Sequence, residues 1–301
     1  MKLLRQALPI LFAGALIAFL FSRVDRAAIG ALFVEANFLW ILLAIAILSL
    51  GHLFSIVRWK YLLSAINIRL SLGEAAKIYF ANLPVAKWTP AYSGDFLRAV
   101  YLKHRLQLTE GAAIITIESL TDVSTLFAFI TLGALLLREW HFVAIGMLGI
   151  FFMIVALFFF RSSFIGRFLL LQRFMLRFRE VFRSPACSPR MLLIAFLFSV
   201  LAWLPTIVFV KMIFFAFGEG ALSFAHIFTV QPLVTLLALL PVTLGGLGTR
   251  EAAMIYFYGS FVNHPLVFMV GLTYSFVSLI VFPLIGVIFM LNIFRPKQKS
   301  K

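Results

Sequence analysis

The sequence has little charge, a single cysteine and no polar stretch long enough to form a soluble domain. Only 12% of the 301 residues are charged and 63% are hydrophobic, whereas about a quarter of a soluble domain is usually charged. The mean hydropathy is +1.07. The lone Cys187 excludes an internal disulfide and a multi-cysteine metal site. These shortages indicate a polytopic α-helical membrane protein, with one integral membrane domain over residues 1–301.

Long apolar runs supply the membrane segments that this class requires. A spanning helix needs about 20 apolar residues, and these runs do not show the short alternating pattern of a β-barrel. We predict an all-α fold with about eight transmembrane helices, near residues 7–22, 38–57, 111–137, 141–160, 191–215, 223–241, 250–262 and 265–291. The first is expected to be a retained helix rather than a cleaved signal peptide. The segment 250–262 is short for a complete crossing.

The basic residues are distributed unevenly over this arrangement. The formal net charge of +15 would suggest nucleic acid in a soluble protein, but in a membrane protein Lys and Arg gather in cytoplasmic loops. With the N-terminus inside, 20 of the 26 basic residues lie on the inner side and four on the outer side. Seven of the inner residues are arginines of a basic loop, 161–190. We therefore predict an inner-membrane protein with both termini in the cytoplasm and no nucleic-acid partner.

Two short stretches, about 78–98 and 241–262, interrupt the apolar sequence with proline, glycine and an acid–arginine pair. Their notable residues are Asn82, Pro84, Pro90, Gly94, Asp95 and Arg98 in the first, and Pro241, Gly245, Gly246, Gly248, Thr249, Arg250 and Glu251 in the second. Irregular backbone survives in a bilayer only when it is buried in protein or lines a wet cavity. Paired interruptions in two halves of a chain point to a transport site. The tripeptide Leu-Pro-Val occurs at both 83–85 and 240–242, which leaves open whether the two interruptions belong to an internal repeat.

The first interruption lies between two basic stretches, 58–77 and 98–110, which the charge distribution places on the same side of the membrane. We therefore predict that residues 78–97 form a re-entrant hairpin, with the helix broken at Pro84, Pro90 and Gly94. Asp95 and Thr249 are expected to cap the helices that follow the two interruptions. A capped helix N-terminus is suited to phosphate, and the neighbouring Arg98 can hold a phosphate oxygen. The alternatives are a plain N-cap at Asp95 and an ordinary glycine turn at 245–248.

Glu118 and Asp122 are the most informative single side chains, because they are four residues apart on one helix and so share a face. A charge at the bilayer centre costs about 2.5–3.5 kcal/mol on insertion scales, so we expect a basic partner. The candidates are Arg98 and Arg250; the alternative is that both acids lie near the cytoplasmic end and face headgroups. The five histidines show no metal-ligand spacing, and we expect neither a metal nor a cofactor.

With these motifs, the chain resembles the lysylphosphatidylglycerol synthase transmembrane region, also described as a flippase-like membrane family. The similarity covers about residues 5–292 and is carried by Asn82, by 90–98, by 118–122 and by 241–251, of which the last is the most specific. Tyr92 and Ser119 depart from the family pattern, which usually has basic residues at these two positions. The resemblance implies a domain that moves an aminoacylated phospholipid between leaflets. It also implies a separate soluble catalytic domain in the bifunctional members, for which these 301 residues leave no room.

We therefore expect a lipid translocator rather than an enzyme. Its ligand would be an anionic phospholipid or a polyprenyl-phosphate-linked lipid, held by the residues of the two interruptions with Glu118 and Asp122 as counter-charges. One alternative is a membrane-embedded transferase that uses lipid-linked sugar or aminoacyl donors, with Asp95 as the general base. Another is a non-transporting partner of a separate lipid-modifying enzyme. The sequence leaves the lipid, the energy source and the oligomeric state open.

Overall fold

The computed structural model describes residues 2–161, 180–184 and 187–294, and all the regular structure in these ranges is helical. The helices are α1 (Lys2–Arg23), α2 (Arg26–Glu35), α3 (Phe38–Ser64), α4 (Leu72–Lys87), α5 (Leu97–Tyr101), α6 (Leu108–Leu137), α7 (Trp140–Arg161), α8 (Pro189–Ala216), α9 (Phe224–Ala238), α10 (Thr249–Tyr258), α11 (His264–Phe276) and α12 (Phe282–Phe294). The predicted all-α fold is confirmed. Most of the basic loop 161–190 lies outside the described residues.

Five helical stretches are long and apolar enough to cross a membrane, namely Phe38–Ser64, Leu108–Leu137, Trp140–Phe160, Pro189–Ala216 and His264–Asn292. The last of these joins α11 to α12 through a π-helical turn, Val277–Val281. Leu11–Arg23 and Phe224–Ala238 are shorter apolar helices. α10 has ten residues, about 15 Å of helix, and is too short to cross the roughly 30 Å hydrocarbon core. The number of crossings and the sidedness of the termini stay predictions.

Polar residues at the helix starts explain where these apolar segments begin. A side-chain oxygen of the N-cap accepts a hydrogen bond from a first-turn backbone N–H in α2, α3, α4, α8, α9 and α11, with Asp25, Asn37, Ser71, Ser188, Ser223 and Asn263 as the caps. Each bond satisfies one of the donors that a helix N-terminus leaves without a partner. The caps are visible in the sequence, and they also define α2, a helix that our segment assignment lacked.

Close helix packing brings distant segments around one interior space. α3 lies along α8, α6 packs between α7 and α9, and α4 lies against α12. The approach of α3 to α8 is possible because Gly51 has no side chain: a Cβ there would lie 2.7 Å from the carbonyl oxygen of Ala202. Small residues permit the same close contact between membrane helices in general. As a result, α3 and α8 pack closely against each other.

The first interruption does not break the helix at Pro84, so that part of our prediction was wrong. α4 continues through Pro84 to Lys87. Pro84 has no N–H for the carbonyl of Phe80, and that carbonyl oxygen instead faces Gly286 of α12, where a Cβ would lie only 2.4 Å away. Membrane helices tolerate internal proline when a neighbouring helix covers the freed backbone in this way.

The chain turns back only after Lys87, through a 3₁₀ turn at Pro90–Phe96 that packs on α4. Gly94 makes this return possible, because a Cβ there would lie 2.7 Å from the carbonyl oxygen of Val85. Asn82 and Asp95 are consequently joined by a side-chain hydrogen bond of 3.0 Å. The chain therefore folds back against α4 at this turn, whereas the re-entrant hairpin over 78–97 stays a prediction.

The second interruption contains three residues in the left-handed region of backbone space. Gly245, Gly246 and Gly248 have φ of 58°, 77° and 86°, a region that is costly for any residue with a Cβ. The intervening 3₁₀ turn, Leu244–Gly246, contacts the 3₁₀ turn of the first interruption. A Cβ on Gly245 would lie 2.5 Å from the carbonyl oxygen of Lys87. The two interruptions therefore meet in the interior of the molecule.

Candidate functional site

A cavity of about 380 Å³ lies where these elements converge. Its walls come from helices α3 to α6 and α8 to α12, from the π-helical turn and from the 3₁₀ turn of the first interruption. Seven charged side chains line it, which are Arg58, Lys87, Asp95, Arg98, Glu118, Asp122 and Arg250. Such a concentration of charge is unusual in a chain that is only 12% charged, and charges at membrane depth usually mark a functional pathway.

Arg58 of α3 is the centre of this charged cluster. Its Nε and Nη2 donate to Oε1 of Glu118 at 3.3 and 3.2 Å, and its Nη2 also donates to Oδ2 of Asp122 at 2.8 Å. Nη1 donates to Oδ1 of Asp122 and to the hydroxyl of Ser199. The guanidinium is thus shared between the two acids of α6, which fixes α3 against α6 and α8. Such multiple, charge-assisted bonds suit the planar fork of arginine.

Arg98 of α5 provides the second cation of the cluster. Its Nη2 lies 2.9 Å from Oε2 of Glu118 and 3.7 Å from Oδ1 of Asp95. The guanidinium carbon lies 5.2 Å from the ring centre of Trp59 and 5.7 Å from that of Tyr79, a cation–π arrangement. The carboxylate of Glu118 is therefore held between Arg58 and Arg98, with only 3% of its side chain exposed.

Asp122 is the more accessible acid of α6. Its Oδ1 also accepts a hydrogen bond of 2.9 Å from the indole Nε1 of Trp203 on α8. Behind it, the hydroxyl of Ser199 donates to Thr121 at 3.1 Å. About a quarter of the Asp122 side chain (26%) stays exposed, in contrast to Glu118. The position of Asp122 at the middle of the 30-residue α6 does not fit the alternative in which both acids lie at a helix end.

The structure supports one of the two predicted basic partners and adds another. Arg98 pairs with Glu118 as expected, whereas Arg250 makes no ion pair with either acid of α6 among the described contacts. Arg58, which our sequence analysis assigned to a cytoplasmic loop, pairs with both acids. A signal for it was present, because α3 continues beyond Arg58 to Ser64 and includes the apolar residues Trp59, Leu62 and Leu63. Arg58 also shares a helical face with Gly51 and Ser55.

Asp95 does not cap α5, so the capping prediction was wrong. The N-cap position is Phe96, and it has no side-chain cap. Asp95 instead belongs to the preceding 3₁₀ turn, where its carboxylate accepts from Asn82 and faces Arg98. The reason is that the turn tightens before α5 begins, which places the Asp95 carboxylate towards α4 rather than over the first turn of α5.

The second interruption has a different internal arrangement. Arg250 donates from Nη1 to Ser275 Oγ at 2.8 Å and from Nη2 to the Gly245 carbonyl at 3.0 Å. The Ser275 hydroxyl donates in turn to Oε1 of Glu251, and Oε2 of Glu251 accepts from the Gly248 N–H. Arg250 and Glu251 are therefore linked through Ser275. The guanidinium carbon of Arg250 also lies 4.6 Å from the ring centre of Tyr274.

Thr249 does not cap α10, which is the second error in our capping predictions. Gly248 holds the N-cap position, and Thr249 is the first helical residue. The Thr249 hydroxyl donates back to the Gly246 carbonyl at 3.0 Å and lies 3.0 Å from the hydroxyl of Thr243. Glu251 does lie in the first turn of α10, as the helix dipole favours. Its carboxylate accepts a hydrogen bond from the Gly248 N–H, so this donor at the helix N-terminus already has a partner.

The predicted site residues thus fall into three groups. Asp95, Arg98, Glu118, Asp122 and Arg250 line the cavity. Two residues lie behind the cavity: Asn82 donates to the lining residue Asp95, and Glu251 accepts from the Gly248 N–H of its own turn. The third group belongs to the two turns and consists of Pro90, Gly94, Pro241, Gly245, Gly246, Gly248 and Thr249. Whether any of these residues binds a ligand stays a prediction.

Comparison with known proteins adds a family to this geometry. The family described as the lysylphosphatidylglycerol synthase TM region matches residues 6–286, which include both interruptions and all the charged residues of the cavity. The chain belongs to the lysylphosphatidylglycerol synthase transmembrane-region family. The resemblance noted from the sequence is therefore confirmed, and so is the class of multi-pass membrane protein.

A curated relative is consistent with this membership in the lysylphosphatidylglycerol synthase transmembrane-region family. A UPF0104 membrane protein of Archaeoglobus fulgidus is 24% identical over 294 residues, which cover 87% of this chain and 89% of the relative. The match therefore extends over nearly the whole length of both proteins. It likens the chain to another membrane protein.

Proposed function

We propose that the protein is a lipid translocator of the cytoplasmic (inner) membrane, and that its cavity receives the headgroup of an anionic phospholipid or a polyprenyl-phosphate-linked lipid. The observation that carries the proposal is a charged cavity of about 380 Å³ inside the helix bundle, to which both interruptions contribute. A small phosphate-linked headgroup fits in such a volume, at the lower end of the range for ligand pockets. The acyl chains would stay in the bilayer.

The charged side chains of the cavity have a high energetic cost inside a membrane. Each charged side chain at membrane depth costs about 2.5–3.5 kcal/mol on insertion scales, and seven of them line this cavity. Replacing a buried ion pair by packed hydrophobic residues is often neutral or stabilising, so fold stability alone does not account for the cluster. A polar passage for a headgroup does, because it needs hydrogen-bonding groups where lipid tails supply none.

The family membership supports a membrane phospholipid as the substrate. The family is named after an enzyme that modifies a phospholipid. A translocator would move such a lipid from the leaflet in which it is made to the opposite leaflet. On this proposal the membrane lipids are the partners, and a separate lipid-modifying enzyme would supply the cargo. The protein itself would perform no covalent chemistry.

The first test is mass spectrometry of the lipids retained by the purified protein. The wild type is compared with the Arg98→Ala/Arg250→Ala double variant and with Arg105→Ala, a control in which the lost ion pair with Glu74 is exposed. We expect one anionic lipid class to be enriched in the wild type and the control and lost in the double variant. The same bulk lipids in all three would contradict the proposal.

Reconstitution into liposomes then separates the translocator from its alternatives. Translocation is followed as the loss of fluorescence of a short-chain labelled lipid when a membrane-impermeant quencher is added, which requires movement between leaflets. A translocator accelerates this loss above that of protein-free liposomes. Formation of product from a labelled lipid-linked donor would instead favour a transferase, and co-purification of a synthase without lipid movement would favour an assembly partner.

A further inference from the structure

Arg58, at the centre of the cluster, has no hydrogen-bond donor left for a ligand. A guanidinium has five N–H donors, and Arg58 makes five donor contacts, all of them to Glu118, Asp122 and Ser199. Its side chain is only 4% exposed. A phosphate could bind Arg58 only by displacing a carboxylate that is already in place.

Arg98 is similarly enclosed. Its Nε donates to the Asp95 carbonyl at 3.4 Å, and its Nη2 faces Glu118. Nη1 has no partner among the described residues, but it is buried and only 5% of the side chain is exposed. Arg58 therefore acts mainly to hold carboxylates, and neither arginine is exposed by more than 5%.

The accessible groups of the cluster are two carboxylates. The Asp95 side chain is 35% exposed and the Asp122 side chain 26% exposed, whereas Arg58, Arg98 and Glu118 are each at most 5% exposed. A carboxylate has about four acceptor positions. Oδ2 of Asp122 accepts one hydrogen bond, and Oδ2 of Asp95 accepts none within the described part of the chain. This wall of the cavity therefore presents acceptors to its contents.

The net charge of the cavity restricts which ligands can donate hydrogen bonds to these carboxylates. Four basic and three acidic side chains line the cavity, a formal charge of +1 with His52 neutral. A ligand with a net positive charge would be repelled, whereas an anionic lipid would be attracted. A ligand that satisfies both conditions carries a negative charge and also neutral hydrogen-bond donors. Hydroxyl groups on a phosphate-linked headgroup meet this description.

We propose that the cavity selects lipids whose phosphate carries a polyol or a sugar, with Asp95 and Asp122 accepting hydrogen bonds from its hydroxyl groups. This inference rests on the proposed function and narrows its substrate class. Hydroxyl groups of this kind come from two sources, a glycerol-type phospholipid headgroup or a sugar linked to polyprenyl phosphate. Asp95 and Asp122 would accept from the hydroxyl groups of either source. The experiment must therefore distinguish the two lipid anchors, diacylglycerol and polyprenol.

The test measures binding of defined short-chain lipids to the purified full-length protein by native mass spectrometry. Two matched pairs of phosphodiesters are used, dioctanoyl phosphatidylglycerol with dioctanoyl phosphatidylmethanol, and farnesyl phosphoryl-glucose with methyl farnesyl phosphate. The members of each pair share their anchor and a single negative charge, and they differ in the hydroxyl-bearing group. Because hydrogen bonds to charged groups are strong, we expect the hydroxylated member to bind about tenfold more tightly. The anchor of the tighter pair identifies the source.

Variants assign the preference to the two acids. Asp95→Asn keeps the shape of the side chain but removes its charge and one of its acceptor oxygens, and it leaves the Arg58–Asp122 bonds intact. We expect the tenfold preference to fall to about twofold in Asp95→Asn and in Asp122→Asn. Glu74→Gln, an exposed acid of α4 outside the cavity, is the matched control and should keep the full preference. Thermal unfolding verifies that each variant is folded.

Three outcomes would contradict parts of this scheme, and each identifies which part fails. Equal binding within both pairs would overturn the hydroxyl inference and leave the translocator proposal standing. Tighter binding of dioctanoyl phosphatidylethanolamine than of either hydroxylated lipid would replace hydroxyl groups by an ammonium group as the bound donor. Saturable binding of no lipid at all would overturn the proposed function together with the inference.

Discussion

The two interruptions contain the same kinds of residue and use them differently. In the first, Asp95 and Arg98 join Glu118, Asp122 and Arg58, so that the cluster connects α3, the 3₁₀ turn, α5 and α6. In the second, Arg250 and Glu251 are adjacent in sequence, and their bonds go mainly to their own turn and to Ser275 of the next helix.

This difference indicates that the first interruption belongs to the candidate site, whereas the second mainly supports its structure. The first cluster leaves two carboxylates accessible to the cavity, whereas Glu251 is completely buried and closes the N-terminus of α10. A similar acid–glycine–arginine composition therefore does not imply the same role. The second interruption contributes the Arg250 side chain to the cavity wall, and its glycines allow the two turns to contact each other.

The largest effect is expected at Arg58, because its removal would leave two acids without their common partner. Arg58→Met should lower the free energy of unfolding by about 3–5 kcal/mol, the usual cost of breaking a buried ion pair. Denaturant unfolding in detergent measures this loss. Arg105→Met removes an exposed ion pair with Glu74 and should cost at most about 1 kcal/mol. Equal losses in the two variants would contradict the central role of Arg58.

A smaller effect is expected where the two interruptions meet. Gly245→Ala adds a Cβ to a residue with φ of 58°, 2.5 Å from the Lys87 carbonyl and 2.4 Å from Leu279. The backbone conformation alone costs about 1–2 kcal/mol, and the steric clash adds to it. Gly73→Ala is the control, because a Cβ there has open space within α4; it should be neutral or slightly stabilising. Similar unfolding midpoints for both variants would show that the turns can separate freely.

The second interruption should respond less to neutralisation of its acid than the first. Glu251→Gln keeps one acceptor for the Gly248 N–H but weakens the bond from Ser275, so we expect a loss of about 1–2 kcal/mol. Glu118→Gln removes the charge between two arginines and should cost more, about 3 kcal/mol. The two unfolding curves are compared in the same detergent. A larger loss for Glu251→Gln would reverse our assignment of site and support.

The smallest effect concerns the contact between the first interruption and the π-helical turn. The indole Nε1 of Trp88 donates to the Leu279 carbonyl at 2.9 Å. Trp88→Phe removes this donor and should cost about 0.5–1.5 kcal/mol. Trp140→Phe replaces an exposed tryptophan at the start of α7 and is expected to change stability by less than about 0.5 kcal/mol. A Trp88→Phe protein as stable as the wild type would show that this bond is dispensable.

Local sequence rules predicted much of the fold and part of the site. Apolar runs located the long helices, and the spacing of four placed Glu118 and Asp122 on one face of α6. Pro84 misled us, because whether a proline breaks a membrane helix depends on the helix packed against it. The capping predictions at Asp95 and Thr249 failed for a related reason, since the geometry of the preceding turn decides which residue begins a helix.

The membrane class, the positions of the two interruptions and the glycines that their backbone requires can be predicted from the sequence, because they follow from composition, helical period and backbone sterics. Which charges meet depends instead on how the helices pack. Arg58 and Glu118 are 60 residues apart, and no local pattern fixes how α3 and α6 are rotated against each other. That rotation results from packing at contacts such as Gly51 against α8. It places Arg58, which we had assigned to a loop, at the centre of the candidate site.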